Sequence, residues 1–95
     1  MKNYYLAVDK TLFELNLNPL EILILAQVEE FQRNKCVCYL TDEGLAASFG
    51  VSERTISRAI THLSELQLLK RETKTENSKR IRILKSQRDN LTASA

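Results

Sequence analysis

Tryptophan is absent from this 95-residue chain, histidine and proline occur once each, and glycine and cysteine twice. So little glycine and proline leaves scant turn material for a many-stranded β-sandwich, and short connections between helices fit better. The longest apolar stretch, Ile22 to Ala26, is far below the roughly 20 residues that span a bilayer. Behind the opening Met-Lys-Asn-Tyr-Tyr there is no apolar signal core with a small-residue cleavage pattern, so the expected location is cytoplasmic, with no membrane partner. Cys36 and Cys38 stand two apart, a spacing that strains a disulfide. A metal site would need more ligands than these thiols and His62, the sole histidine. The expectation is therefore two reduced, packed thiols, no metal and no cofactor.

Ninety-five residues suit a single domain, and an apolar content of 43% with 27% charged residues is ordinary for a globular one. The net charge of +2 conceals a division along the chain. Residues 1–51 carry four basic and seven acidic side chains, a balance of −3, whereas residues 52–85 carry nine basic and four acidic, a balance of +5. Such asymmetry points to one face meeting a polyanion, although lopsided solvated surfaces are common.

Tyr4 to Val8 reads as an extended segment, with Asp9 placed to cap a brief turn carrying Leu12, Phe13 and Leu15. The first strong helix signal is Asn18-Pro19, an N-cap followed by proline at the first helical position, with Glu21 where a capping box needs a carboxylate. The helix is expected to run to about Arg33 and to bury Leu20, Leu23, Ile24, Val28 and Phe31. Ile22 and Leu25 widen that stripe, and either the Tyr4–Val8 segment or a second subunit would cover them. A homodimer through Ile22, Leu25 and the N-terminal segment is one expectation. Cys36 to Leu40 reads as a short strand, with both cysteines on one face.

Thr41 then caps a second helix with Asp42 and Glu43 in its first turn, and Gly50 stops it. Ser52 caps a third helix expected to reach about Leu68. Two helices meeting at a sharp turn need a small residue where they cross, a flexible turn residue and apolar side chains to fix the angle. Ala46, Gly50 and the set Leu45, Phe49, Val51, Ile56 and Ile60 meet those needs, which is the layout of a helix-turn-helix. On the third helix, Ile56, Ala59, Ile60, Leu63 and Leu66 fall at core spacing, while Arg54, Ser57, Arg58, Thr61 and Glu65 fall opposite. Arginine matches the two acceptors of guanine, and hydroxyl residues adapt to several bases. Ser52 and Thr55, beside free amides at the helix start, suit a phosphate. An ordinary solvated face is the competing reading for Arg54 and Arg58, and the preceding Gly-Val-Ser turn weighs against it. For His62, packing or a backbone contact outweighs a DNA role.

Two strands are expected next, at about Leu69–Lys74 and Lys79–Leu84, around the polar turn Thr75 to Ser78. Ile81 and Ile83 alternate with Arg80 and Arg82, so one face packs and the other stays charged. This hairpin would be a wing whose Lys74, Lys79, Arg80 and Arg82 follow phosphates or enter a minor groove, although edge lysines also guard sheets against aggregation. The domain is expected to fill residues 1–85, with residues 86–95 a disordered tail whose charges, Arg88 and Asp89, cancel.

The run Leu45-Ala-Ala-Ser-Phe-Gly-Val-Ser-Glu-Arg-Thr-Ile-Ser-Arg-Ala-Ile-Thr-His-Leu-Ser-Glu-Leu-Gln-Leu-Leu69 resembles the helix-turn-helix and wing entry of bacterial winged-helix proteins. It is most similar to DNA-binding domains of plasmid and phage replication initiators and related small regulators. The resemblance covers residues 4–85 and implies a mainly α winged helix-turn-helix with a small β-hairpin, binding double-stranded DNA through Ser52, Arg54, Thr55, Ser57 and Arg58. It departs from the family pattern at Gln67, where glycine is common, and in length, since initiators carry further domains. An enzyme is disfavoured by the lack of a phosphate loop, a metal cluster or a close acid pair. A protein-interaction module would put apolar or acidic residues where Arg54 and Arg58 stand. RNA binding would call for aromatic stacking platforms, and every Tyr and Phe precedes residue 52.

Overall fold

The computed structural model describes residues 8, 10–36 and 38–88. The expected Asp9 cap and most of the Tyr4–Val8 segment lie outside them. A 3-10 turn at Lys10–Leu15 leads into helix α1 (Pro19–Arg33), α2 (Asp42–Phe49) and α3 (Glu53–Glu65), followed by strands β1 (Leu69–Glu76) and β2 (Lys79–Ser86). The architecture is a mainly helical helix-turn-helix with a two-stranded wing.

The cap residues act as their chemistry dictates. Asn18 Oδ1 accepts the Glu21 amide at 2.9 Å while Glu21 Oε1 accepts the Asn18 amide at 3.1 Å, a reciprocal capping box. Each of the three helices is stopped by a residue in the left-handed region: Lys35 after α1, Gly50 after α2 and Gln67 after α3. At α3 the Gln67 amide donates to the Ser64 carbonyl and the Leu68 amide to the Leu63 carbonyl, both at 3.0 Å, a Schellman ending. This sets the end of α3 at Glu65 rather than near Leu68, and it turns Leu66, expected in the core, out to 47% exposure. Gln67 therefore adopts the conformation that glycine would adopt there more easily.

The core gathers Leu12, Ile24, Leu25, Val28, Leu45, Ile56, Ile60, Leu63, Leu69 and Leu84. The expected stripe on α1 needs correction. Leu25 is fully buried and Ile22 is 6% exposed within one chain, whereas Leu20, Leu23 and Phe31 are only half-buried. The 3-10 turn, α3 and β2 all pack on α1, so its apolar surface is wide because several elements cover it. Leu25 is thus covered within one chain, and Ile22 reaches the surface only as part of the lining of an apolar concavity with Phe13, Leu17 and Leu23, which corrects the expected exposed stripe.

The wing is longer than expected. Strands β1 and β2 pair antiparallel from Leu69 opposite Ser86 to Glu76 opposite Lys79. They are joined by the two-residue turn Asn77-Ser78, with φ of 52° and 64°, the all-positive geometry that suits the twist of a hairpin. The expected Cys36–Leu40 strand shrinks to one bridge, in which the Leu84 amide donates to the Cys38 carbonyl at 3.1 Å. Cys38 is buried, and burial pushes its thiol pKa up; Cys36, expected to pack beside it, is exposed.

The boundary expected at residue 85 falls inside β2, and Arg88, expected in the tail, is buried. Its guanidinium binds the fully buried Glu29 of α1 through Nε and Nη2, both at 2.5 Å, and its Nη1 donates to Thr11 Oγ1 at 2.8 Å. The Ser86 hydroxyl donates to the same carboxylate at 2.7 Å, and Gln32 Oε1 accepts the Ser86 amide at 2.6 Å. The outgoing end of the wing is therefore tied to the first helix.

Candidate nucleic-acid interface

Thr41 opens α2 by accepting the Gly44 amide at 3.0 Å. The helix closes at Gly50, whose φ of 68° and ψ of 36° are left-handed. A Cβ built on Gly50 would meet nothing within 4 Å, so the demand for glycine there is one of backbone conformation and not of space. The Val51 amide donates back to the Ala46 carbonyl at 3.1 Å. Ser52 then restarts the chain as a helix, its Oγ accepting the Thr55 amide at 3.1 Å. Only Val51 and Ser52 separate the left-handed stop from the first turn of α3, so the corner is tight. Buried Ala46 on α2 and Ala59 on α3 keep side-chain bulk low where these two packed helices meet.

This corner fixes which side of α3 faces out. Ile56, Ala59, Ile60 and Leu63 are buried, while Ser52, Glu53, Arg54, Thr55, Ser57 and Arg58 are exposed and Thr61 is half-buried. Among the described residues neither Arg54 nor Arg58 has an ion-pair partner. Their charge is left to solvent or to a ligand. Thr55, Arg58 and His62, spaced to share one row of α3, line a concavity whose opposite wall is Asn18 and Leu20 at the start of α1. The His62 Nδ1 contacts Glu21 Oε2, joining α3 to the α1 capping box. That contact gives His62 a partner that spacing along α3 alone did not reveal.

On the wing the basic residues divide by face. Cross-strand partners share a face, so Arg71, Thr73, Thr75, Arg80 and Arg82 lie on one side and Lys70, Lys74, Lys79 and Lys85 on the other. Arg82, expected on the charged outer row, is engaged inside the fold. Its Nη1 binds Asp42 Oδ1 at 2.5 Å and its Nη2 donates to the Leu40 carbonyl at 2.6 Å, so it braces the wing against the start of α2. Lys74 pairs with Glu76 at 3.5 Å, both about half exposed, an arrangement worth little to stability and readily exchanged for another anion. Lys79 and Arg80 are exposed near the tip with no ion pair among the described residues. Arg71 was missed by sequence reading. It is exposed on the same face as Arg80, which only the register of the hairpin reveals.

No helix among the described residues is long and apolar enough to cross a membrane, and no group of three or more potential metal ligands is found among them. No curated protein and no solved structure matches the chain. The helix-turn-helix domain family matches residues 15–69, which takes in α1, the Gly50 corner and all of α3 up to the start of the wing. That match covers more than half of the sequence and spans the very corner that launches the exposed arginines, so the chain belongs to the helix-turn-helix domain family, whose members are implied to bind DNA.

Proposed function

We propose that this protein is a sequence-specific binder of double-stranded DNA that seats α3 in the major groove and lays the wing along the backbone. The observation that carries the reading is the pair Arg54 and Arg58, exposed and without ion-pair partners on a helix capped by Ser52 and aimed by Gly50. A bidentate guanidinium–guanine contact by at least one of them, flanked by Ser57 and Thr61, supplies direct readout. Ser52 and Thr55 hold register on a phosphate. Lys74, Lys79 and Arg80, with Arg71 nearer the base of the wing on the Arg80 face, neutralise backbone charge without reading sequence. The setting is plasmid or phage replication, maintenance or transcription control, supported by the likeness of residues 42–69 to the corresponding run in replication initiators and small regulators.

Selection of bound sequences from random duplexes, followed by gel shifts, tests this reading. Arg54→Ala or Arg58→Ala is expected to cost about 1–3 kcal/mol on the selected site and to relax its consensus. Lys79→Ala is expected to weaken all sequences alike and to reduce the salt slope by about 0.9. Failure to enrich any sequence, with both arginine variants binding as the wild type does, would remove α3 as the reader. The alternative of a protein-interaction module finds no support in the exposed face of α3, which carries no large apolar side chain before Leu66.

A further inference from the structure

The concavity between α3 and the start of α1 is built from two elements far apart in sequence, and its polar groups are of one kind. Thr55 brings a hydroxyl that also shares a 2.9 Å hydrogen bond with Ser52 Oγ and can donate outward when Ser52 is the donor. Arg58 brings a guanidinium and His62 an imidazole, while Asn18 gives its Oδ1 to the α1 cap and keeps its side-chain NH2 as a donor. Among the described residues the only carboxylate lining it is Glu21, and both of its oxygens are already occupied, one by the Asn18 backbone N–H and one by the His62 Nδ1. Glu21 is buried while the His62 side chain is half exposed, so the ring stands between the carboxylate and solvent. With Nδ1 turned to Glu21, Nε2 is the ring atom left to meet an external group. Thr55 and His62 flank the outermost row of α3 on the side toward α1, and Arg58 stands at the border between them and the row that would face base edges.

Resting on the DNA-binding reading above, we propose that this notch seats one backbone phosphate of the bound DNA. The phosphate is gripped by His62 Nε2, the Thr55 hydroxyl and the Asn18 amide with Arg58 at the lip, and Glu21 is the residue that positions the ring. A helix lying in the major groove has a phosphate strand along each flank, and a donor-lined recess on the α1 flank of α3 meets one of them. An imidazole donating from both nitrogens must hold two protons. The negative charge of a phosphate at Nε2 favours that form, so seating the phosphate is expected to take up a proton. The charged groups lining the notch with His62 are Glu21 on α1 and Arg58 on α3, and Glu65 follows one turn further along α3. His62 is the only histidine in the chain, which makes its proton traceable.

The test measures affinity of the full chain for its selected duplex between about pH 8 and pH 6, for the wild type, His62→Gln and Glu21→Gln. The wild type is expected to bind about three- to tenfold more tightly at the acidic end, within the limit of one proton taken up. His62→Gln should lose that dependence and show a salt slope smaller by about 0.9, with specificity unchanged. Glu21→Gln retains the capping acceptor, because glutamine serves in a capping box, and should keep its melting temperature while its pH profile flattens. Duplexes carrying single neutral methylphosphonates should then contain one position whose penalty disappears in His62→Gln. An unchanged pH profile and salt slope in His62→Gln would overturn the phosphate seat, as would a loss confined to one base pair of the consensus. If the wild type binds no duplex at all, the DNA reading fails and the notch falls with it, a result separable from normal binding that is indifferent to His62.

Discussion

Arginine occurs in two opposite settings in this molecule. Arg54 and Arg58 stand exposed on α3 with no internal ion pair, whereas Arg88 is buried on Glu29 and Arg82 is held by Asp42 and the Leu40 carbonyl. In the sequence Arg54, Arg58 and Arg82 look like members of one basic segment, and Arg88 falls in the tail beyond it. The difference lies in what each meets across the fold: partners on α1 and α2 neutralise Arg88 and Arg82, while Arg54 and Arg58, carried outward by the corner at Gly50, form no ion pair among the described residues. A count of basic residues therefore overstates the charge offered to DNA, because Arg82 and Arg88 are held within the fold.

The contrast is sharpest when it is broken at its buried end. Arg88→Ala strands the Glu29 carboxylate in the core and is expected to cost about 3–5 kcal/mol in urea unfolding. Arg54→Ala should change stability by no more than about 0.5 kcal/mol while weakening DNA binding. A large loss of stability in Arg54→Ala, or none in Arg88→Ala, would erase the distinction. The wing repeats the contrast at smaller scale. Arg82 and Asp42 are each about a third exposed, so Asp42→Asn is expected to cost only about 1 kcal/mol after solvent screening. Arg82→Ala should lower the melting temperature and leave the salt slope of DNA binding alone; Arg80→Ala should do the reverse.

Gln67 tests whether the end of α3 is strained by its side chain. Gln67→Gly relieves the left-handed conformation and is expected to add about 1 kcal/mol, measured by chemical denaturation. The smallest effect concerns Glu72, where Lys85 and then Lys70 hold the carboxyl below its ordinary range. A depressed folded-state value means that the contribution is present at neutral pH and disappears as the pH falls through the carboxylate range. Amide exchange in the wing is thus expected to quicken slightly in acid, and Glu72→Gln should abolish that change.

What could be read from sequence was local. Asn18, Thr41 and Ser52 cap helices because their side chains bond amides three residues on, and Gly50 stops one because its own backbone permits it. Such interactions are complete within a turn, so spacing along the chain reveals them. The outward direction of Arg54 and Arg58 follows from helical period once the apolar stripe of α3 is known. The rest depended on partners brought together by folding. Glu29 and Arg88 are 59 positions apart, and no pattern in either segment announces the other. Ile22 and Leu25 looked like surplus apolar surface because the turn, sheet and helix that cover them lie elsewhere. The pairing of Glu21 with His62 was hidden in the same way, and with it the notch.

The bond between Glu29 and the residue two places past the end of β2 sets where this domain can be cut. Shortening the gene at codon 85, where apolar patterning fades, would leave a negative group sealed in the interior with no counterion, and the resulting polypeptide should aggregate or be degraded. A version that keeps residue 88 should remain intact.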